Sequence, residues 1–481
     1  MLNPNTHARA HYKTSPVSRY RGNPFIEALP SVLSKEKYLD NIKRIPKAPT
    51  EKTRKQSDTV RLMELPVLNE IILGFPEHQR AGLSLAQLLR EPYVNRDPRT
   101  IDDVKRRTHM ASSQSSEWSK ISPHFKSTAK GHIFIGVTGM GKTTYFEAAL
   151  FSSPQVIHHE FPTPNGEMKC VQVVYLALRC PHDGTLKSLC LQFFAQIDTI
   201  LGTDYLREAR GVSGIAEMVQ LMHRVAYAVS LGTLVVDEVQ NLRAASGQTA
   251  ELMLNLFADI IEMVGVSLLV VGTPAIERVL EASARNIRKM STTGETIFKP
   301  MTRGSIQWKN FTDAYWEFTF TKHKNPLTDV VRDAWYDACG GNSAFASLAF
   351  SLAQRDEIGG GREYVDDLSF DRVLRHRMTF LRPAINALVS GDRNQLLNFD
   401  DLVIRKDYEH LLELSGVTED PSEPGSEAGD EQEFDEEKEI NARDGAKLSK
   451  KRARRKPSKA APEKRGNLPV EDPIAATSPE E

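Results

Sequence analysis

The stretch "GHIFIGVTGMGKTTYFEAAL", Gly131 to Leu150, restricts this chain more than any other part of it. A β-rich apolar run, "HIFIGV", leads into Gly136-Val-Thr-Gly-Met-Gly141-Lys142-Thr143, and a helical pattern, "KTTYFEAALF", follows. The eight central residues match GxxxxGK[ST], with a strand before and a helix after, as that motif requires. Glycines let the backbone curl so that successive N–H groups face phosphate oxygens, and the helix N-terminus adds partial positive charge. Gly136, Val137, Thr138, Gly139, Met140, Gly141, Lys142, Thr143 and Thr144 are therefore expected to cradle a nucleoside triphosphate. Lys142 would reach the β- and γ-phosphates, and the Thr143 hydroxyl would ligate Mg²⁺. ATP and Mg²⁺ are the cofactors this predicts.

From Gly131 onward, short β-rich runs alternate with helical stretches. "CVQVVYLAL" reads as a second strand, "TLVVDEV" as a third and "VSLLVVGTP" as a fourth, with helical patterns of ten or more residues between them. This alternation argues for an α/β fold, a parallel sheet covered by helices on both faces. "TLVVDEVQNL" places Asp237 and Glu238 at the end of an apolar strand, about ninety residues after the loop. At the C-terminal edge of a parallel sheet they would share the ligand crevice. Asp237 would hold Mg²⁺ through water, and Glu238 would orient and polarise the attacking water. The next strand ends in Gly272-Thr273-Pro274. The Thr273 hydroxyl either reaches the γ-phosphate region or caps the following helix. "AIERVLEASARNIRKM" then supplies Arg278, Arg285, Arg288 and Lys289. Arg285, and after it Arg288, are the candidates for stabilising transition-state charge on a neighbouring subunit's nucleotide; the alternative is a solvated basic helix end.

The rest of the chain divides by composition. Residues 1 to about 60 are rich in Lys, Arg, Pro and Ser and read as an extended arm that packs only locally. "RLMELPVLNEIILGF" and "SLAQLLR" then show helical spacing. After about Asn325 strand signals stop, and helices flank a Gly340-Gly341 break. From about Val417 an acidic block and then a basic one lack apolar residues and predict a disordered tail. The expected units are 1–115, a basic arm and helical extension; 116–322, the α/β core; 323–416, an all-α lid and further helices; and 417–481, the tail. Four cysteines without a CxxC pair give neither a disulfide framework nor a zinc site. The N-terminus lacks a secretory h-region, and no apolar run approaches a membrane span, so a cytoplasmic protein without membrane contact is expected.

The order of phosphate loop, Asp-Glu strand, polar-ended strand, arginine-bearing helix and all-α lid resembles the AAA+ superfamily of ATPases. "RYRGNPFIEALP" (Arg19–Pro30), "ALRCPHDGTLKSLCLQFF" (Ala177–Phe194) and "VVDEVQNL" are more specific. Together they resemble the TnsC/TniB group, ATP-dependent regulators of DNA transposition. The resemblance covers about Tyr20 to Leu352. It implies a homo-oligomer, ring or helical filament, around double-stranded DNA when ATP is bound. It also implies recruitment of transposase subunits to a site chosen by a target-selector protein, and disassembly on slow hydrolysis. One departure is visible: "GGNSAFASL" lacks the arginine with which many AAA+ lids sense the γ-phosphate, so Gly340-Gly341-Asn342 would shape the lid without touching phosphate.

Arg179, His182, Thr185 and Lys187 lie between the second strand and its helix, on the expected crevice edge, where they either face DNA phosphates or form an ordinary charged loop. Lys35, Lys37, Lys43, Arg44 and the cluster Lys450–Lys456 add non-specific DNA affinity or only solubility. Two rival readings stay open. A signalling NTPase switch would carry a large sensor domain after the lid, and a replication-initiator or helicase-loader ATPase would carry a winged helix there.

Overall fold

The computed structural model describes residues 7–112, 126–163, 166–244, 247–280, 284–396, 398–399 and 401–402. The tail expected from Val417, including Lys450–Lys456, lies outside them. The described strands are β1 (His7–Arg9), β2 (Gly131–Gly136), β3 (Val156–Thr163), β4 (Gly166–Val173), β5 (Tyr175–Arg179), β6 (Thr233–Asp237), β7 (Ser267–Gly272) and β8 (Glu295–Phe298). Five of them form one sheet in the order β5-β6-β7-β2-β8, with every neighbouring pair parallel. The chain leaves β2, goes to the far edge at β5, returns inward to β7 and then crosses to β8. The C-terminal end of β2 is thus where the winding direction changes, the place at which such sheets bind ligands.

Both faces of the sheet are apolar, as a parallel sheet requires. Side chains alternate along each strand with period two. Leu234, Val236, Leu268 and Val270 join one core with the helices Leu186–Leu201, Ile215–Ala228 and Gly247–Asp259. Val235, Leu269 and Val271 join the other, with the helices Pro76–Leu88 and Lys142–Leu150. Each such buried side chain contributes about 1.5–3 kcal/mol.

Two expectations are corrected. "CVQVVYLAL" is not one strand: β4 ends at Val173 and β5 starts at Tyr175, in different sheets. β4 is antiparallel to β3 while β5 lies beside β6, so the uninterrupted apolar run conceals a change of sheet. The N-terminal arm does not pack only locally. β1 pairs with β3, aligning His7 with Val156. Tyr20, Phe25 and Ile26 are buried with Tyr93, and the Asn23 amide donates to the Tyr93 carbonyl at 2.6 Å. Basic composition hid this because few apolar side chains anchor the segment.

A second core is built mainly from helices and the segments that join them. It runs from Met301 and Trp308, upstream of the boundary expected at 323, through Trp335 and Phe350 to Phe370 and Ile385, and it includes Leu65, Leu68 and Ile71. Trp335 stacks on Phe350 at 4.8 Å and on Phe370 at 5.1 Å between centroids. Arg61, fully buried, donates two hydrogen bonds to Glu363, at 2.7 and 2.9 Å, which ties the helical extension to this unit. No described helix is long and apolar enough to cross a membrane.

Candidate functional site

The phosphate loop leaves β2 at Gly136 and enters the helix Lys142–Leu150. Gly141, the residue before that helix, sits at φ +74°, a left-handed conformation open to glycine. It offers no side chain to cap the helix. The first N–H groups of a helix lack partners within it, so those of Lys142, Thr143 and Thr144 are available to an anion. They border a cavity of about 210 Å³ with Thr138, Gly139, Asp237, Glu238, Gln240, Gly272 and Thr273. The loop and both downstream motifs therefore converge on one crevice.

Lys142 is buried, and its ammonium donates to the carbonyls of Gly136 at 2.8 Å and Val137 at 3.1 Å. Burial lowers its pKa, while Asp237, Glu238 and Asp401 oppose that shift. The Thr143 hydroxyl donates to the Asp237 carboxylate at 2.6 Å. A hydroxyl and a carboxylate side by side form an oxygen donor set that fits Mg²⁺, which keeps several waters of its own. The loop N–H groups and Lys142 likewise fit a triphosphate.

Glu238 has φ +59°, an uncommon conformation for a side-chain-bearing residue, which costs roughly 1–3 kcal/mol. The Asp237 carboxylate accepts the Glu238 N–H at 2.8 Å, and the Asn241 N–H donates to the Glu238 carbonyl at 3.0 Å. Gln240 holds the carboxylate itself, donating through Nε2 to Glu238 and accepting the Thr273 N–H at Oε1 over 3.1 Å. Gln240 thereby links the ends of β6 and β7. The sequence reading gave it no role, although it stands two residues after Glu238. Thr273 is buried at the crevice and precedes the short helix Pro274–Ile276, where its side chain makes no capping bond.

The helical unit also reaches the loop. Asn342 accepts the N–H groups of Ala344 and Phe345 and donates to the Thr138 carbonyl at 2.7 Å. The Ser343 hydroxyl and the Ala344 N–H both donate to the Gly139 carbonyl, at 2.8 and 3.0 Å. A Cβ on Gly139 would lie 2.7 Å from the Asn342 oxygen, so the fit excludes a side chain there. The missing lid arginine is accompanied by a polar clamp on the loop backbone. Its only sequence signal was an Asn placed to cap the helix after Gly340-Gly341.

The other candidates divide between the crevice edge and positions away from it. Arg285 and Arg288 are exposed on the helix Ala284–Met290. That helix runs toward the opposite edge of the sheet, where the Met290 carbonyl abuts Gly131 at the start of β2. Lys289 is buried in an ion pair with Glu262 at 2.6 Å, and the side chain of Arg278 lies outside the description. Arg179 ends β5 opposite Asp237, and Arg179, His182 and Lys187 are exposed. Arg179 also acts on Glu147, whose carboxyl is raised by burial and by Asp237 and lowered by Arg179. The Thr185 hydroxyl caps the helix Leu186–Leu201, accepting from the Ser188 N–H, and donates to Asp183 at 3.0 Å.

Residues 126–280 match the family model described as an AAA domain. The match spans the crevice motifs on β2, β6 and β7. No curated protein matches the chain. Solved structures offer remote likenesses. A Walker-type ATPase of Pyrococcus abyssi is 13% identical over 65% of this chain and 89% of that one, at a TM-score of 0.35. The ORC2 protein of Aeropyrum pernix, in ADPNP-ADP complexes, is 10% identical over 69% and 88%, at 0.35. The ORC1 protein of Aeropyrum pernix, in complex with DNA, is 15% identical over 69% and 82%, at 0.33.

Proposed function

We propose that this chain is a Mg²⁺-dependent ATPase that assembles on double-stranded DNA in its ATP-bound form, connects target selection to transposase recruitment, and disassembles on slow hydrolysis. The observation that carries the ATPase part is the 2.6 Å contact between Thr143 and Asp237 beside the Gln240-held Glu238. It sets a metal-type oxygen pair and a water-polarising carboxylate at the same phosphate loop. Lys142 and the loop N–H groups would hold the triphosphate, Thr143 would ligate Mg²⁺, and Asp237 would hold it through water. The metal screens phosphate charge when bound. Glu238 accepts a proton from water, and Gln240 fixes its carboxylate for that purpose. In an oligomer, Arg285 or Arg288 would approach a neighbour's nucleotide.

Support for the DNA part comes from Arg19–Pro30 and Ala177–Phe194, which resemble the TnsC/TniB group, and from the exposed Arg179, His182 and Lys187. Cations at this edge would meet DNA phosphates with sequence-neutral affinity. The deciding experiment is fluorescence anisotropy of a labelled duplex with the intact chain, with and without a non-hydrolysable ATP analogue. Binding only with the analogue, weakening steeply with salt, is expected. Binding indifferent to nucleotide would reduce the DNA affinity to the basic segments, and no binding in either state would favour a signalling switch.

A further inference from the structure

Beyond the helix Arg382–Ser390 the chain turns back to the nucleotide crevice. The Leu402 N–H donates to the Phe399 carbonyl at 2.9 Å, closing a turn. Leu402 is buried in the core that contains Val137, Met140 and Phe146, and Leu396 and Phe399 pack against that core. The turn is therefore anchored beneath the phosphate loop, with Asp401 on its outer side. The Thr138 N–H donates to the Asp401 carbonyl at 3.3 Å, and the Thr273 hydroxyl donates to the Asp401 carboxylate at 3.4 Å. Its charge also acts on Lys142.

Thr138 and Thr273 mark one end of the crevice. Thr273 ends β7 and is joined through Gln240 to Glu238, the residue placed to polarise the attacking water. A γ-phosphate must lie at that end, because the water attacks it. We infer that Asp401 makes the crevice discriminate between nucleotide states: its carboxylate stands where the γ-phosphate goes, so ATP has to displace it and ADP does not. Two like charges within a few ångströms repel, and Asp401, although exposed, is held at the crevice edge by the Thr273 hydroxyl. A loop N–H engaged by the Asp401 carbonyl adds to the contest. Leu402 keeps the carboxylate in place, since leaving the site means pulling an apolar anchor from the core. This inference needs the crevice to bind nucleotide and is independent of what the ATP-bound form assembles on.

The test is competition binding on the intact chain, with a fluorescent ADP analogue displaced by either ADP or a non-hydrolysable ATP analogue. Asp401→Asn keeps the size of the side chain and removes the charge. It is expected to tighten the ATP analogue by about tenfold, with ADP changing by less than about twofold. Leu402→Ala, which loosens the anchor and leaves the carboxylate intact, should shift the ratio in the same direction. An unchanged ATP-to-ADP ratio in Asp401→Asn, or weaker binding of the ATP analogue, overturns the inference even when thermal stability changes. If the unsubstituted chain binds neither nucleotide, the nucleotide reading itself fails, and the inference with it.

Discussion

Around the phosphate loop the residues that matter are polar, closely interlinked and, at Glu238, held at φ +59°. In the helical unit from Met301 onward the core is aromatic and stacked, with Trp335 between Phe350 and Phe370, although Glu363 there also sits at φ +54°. The first region gathers the polar groups of the loop, and the second supplies the helix from which Asn342 and Ser343 grip the loop backbone. Polar contacts and aromatic packing are thus divided between two regions that meet at the carbonyls of Thr138 and Gly139. Substitutions should separate along that division.

The largest effect on activity is expected at the proposed water-polarising carboxylate. Glu238→Gln should lower the hydrolysis rate by about a hundredfold or more while ATP affinity stays within about threefold, read by phosphate release and by equilibrium binding. Normal hydrolysis would move the water-activating role to another residue. In the helical unit, Trp335→Ala should cost about 3–5 kcal/mol of stability in chemical denaturation, because it empties the stack and leaves the Ala346 carbonyl without its indole donor. Asn342→Ala tests the junction. It removes a helix cap and the bond to Thr138, together worth about 1–2 kcal/mol, and should weaken ATP binding several-fold. Loss of stability with unchanged affinity would mean that the clamp does not shape the loop.

Acid gives the smallest and most graded contrast. His78, His132, His159 and His223 are buried on the α/β side, and burial lowers their pKa values to about 3 for His78 and about 4 for the others. The unfolded chain takes up these protons near pH 6.5, well before the native one does. Their contribution is therefore complete above about pH 6.5 and is lost as pH falls toward 4, at about 1 kcal/mol per histidine by pH 5.5. In the helical unit, Arg61 holds the Glu363 carboxyl far below its ordinary range, so that contribution persists until the pH falls below the usual carboxylate value. Hydrogen exchange at pH 7.5 and 5.5 should show protection lost first in the sheet and its helices. Uniform loss would contradict this assignment.

The parts of this site visible in the sequence are those whose geometry is local. The loop, the Asp237-Glu238 pair and Thr273 each follow a strand end within a few residues, so strand periodicity and spacing locate them. Gln240 was within reach of the same reasoning, but its role depends on the distance between β6 and β7. Asn342 and Asp401 act on residues more than a hundred positions away, and the sequence at those positions carries only a capping signal and an acidic pair. β1 was missed for the same reason: three residues of a basic arm gain strand character only from β3. The change of sheet between Val173 and Tyr175 leaves no break in hydrophobicity, because both flanking strands are buried there.

The central claim is that this crevice binds Mg·ATP through the loop that starts at Gly136. Calorimetric titration of Mg·ATP into the intact chain and into Lys142→Ala tests it most directly. The account predicts saturable binding by the unsubstituted chain and a loss of about a hundredfold or more in Lys142→Ala, since the triphosphate loses the ammonium that the loop carbonyls of Gly136 and Val137 hold beside it. Equal affinity of the two proteins, or no binding by either, would contradict it.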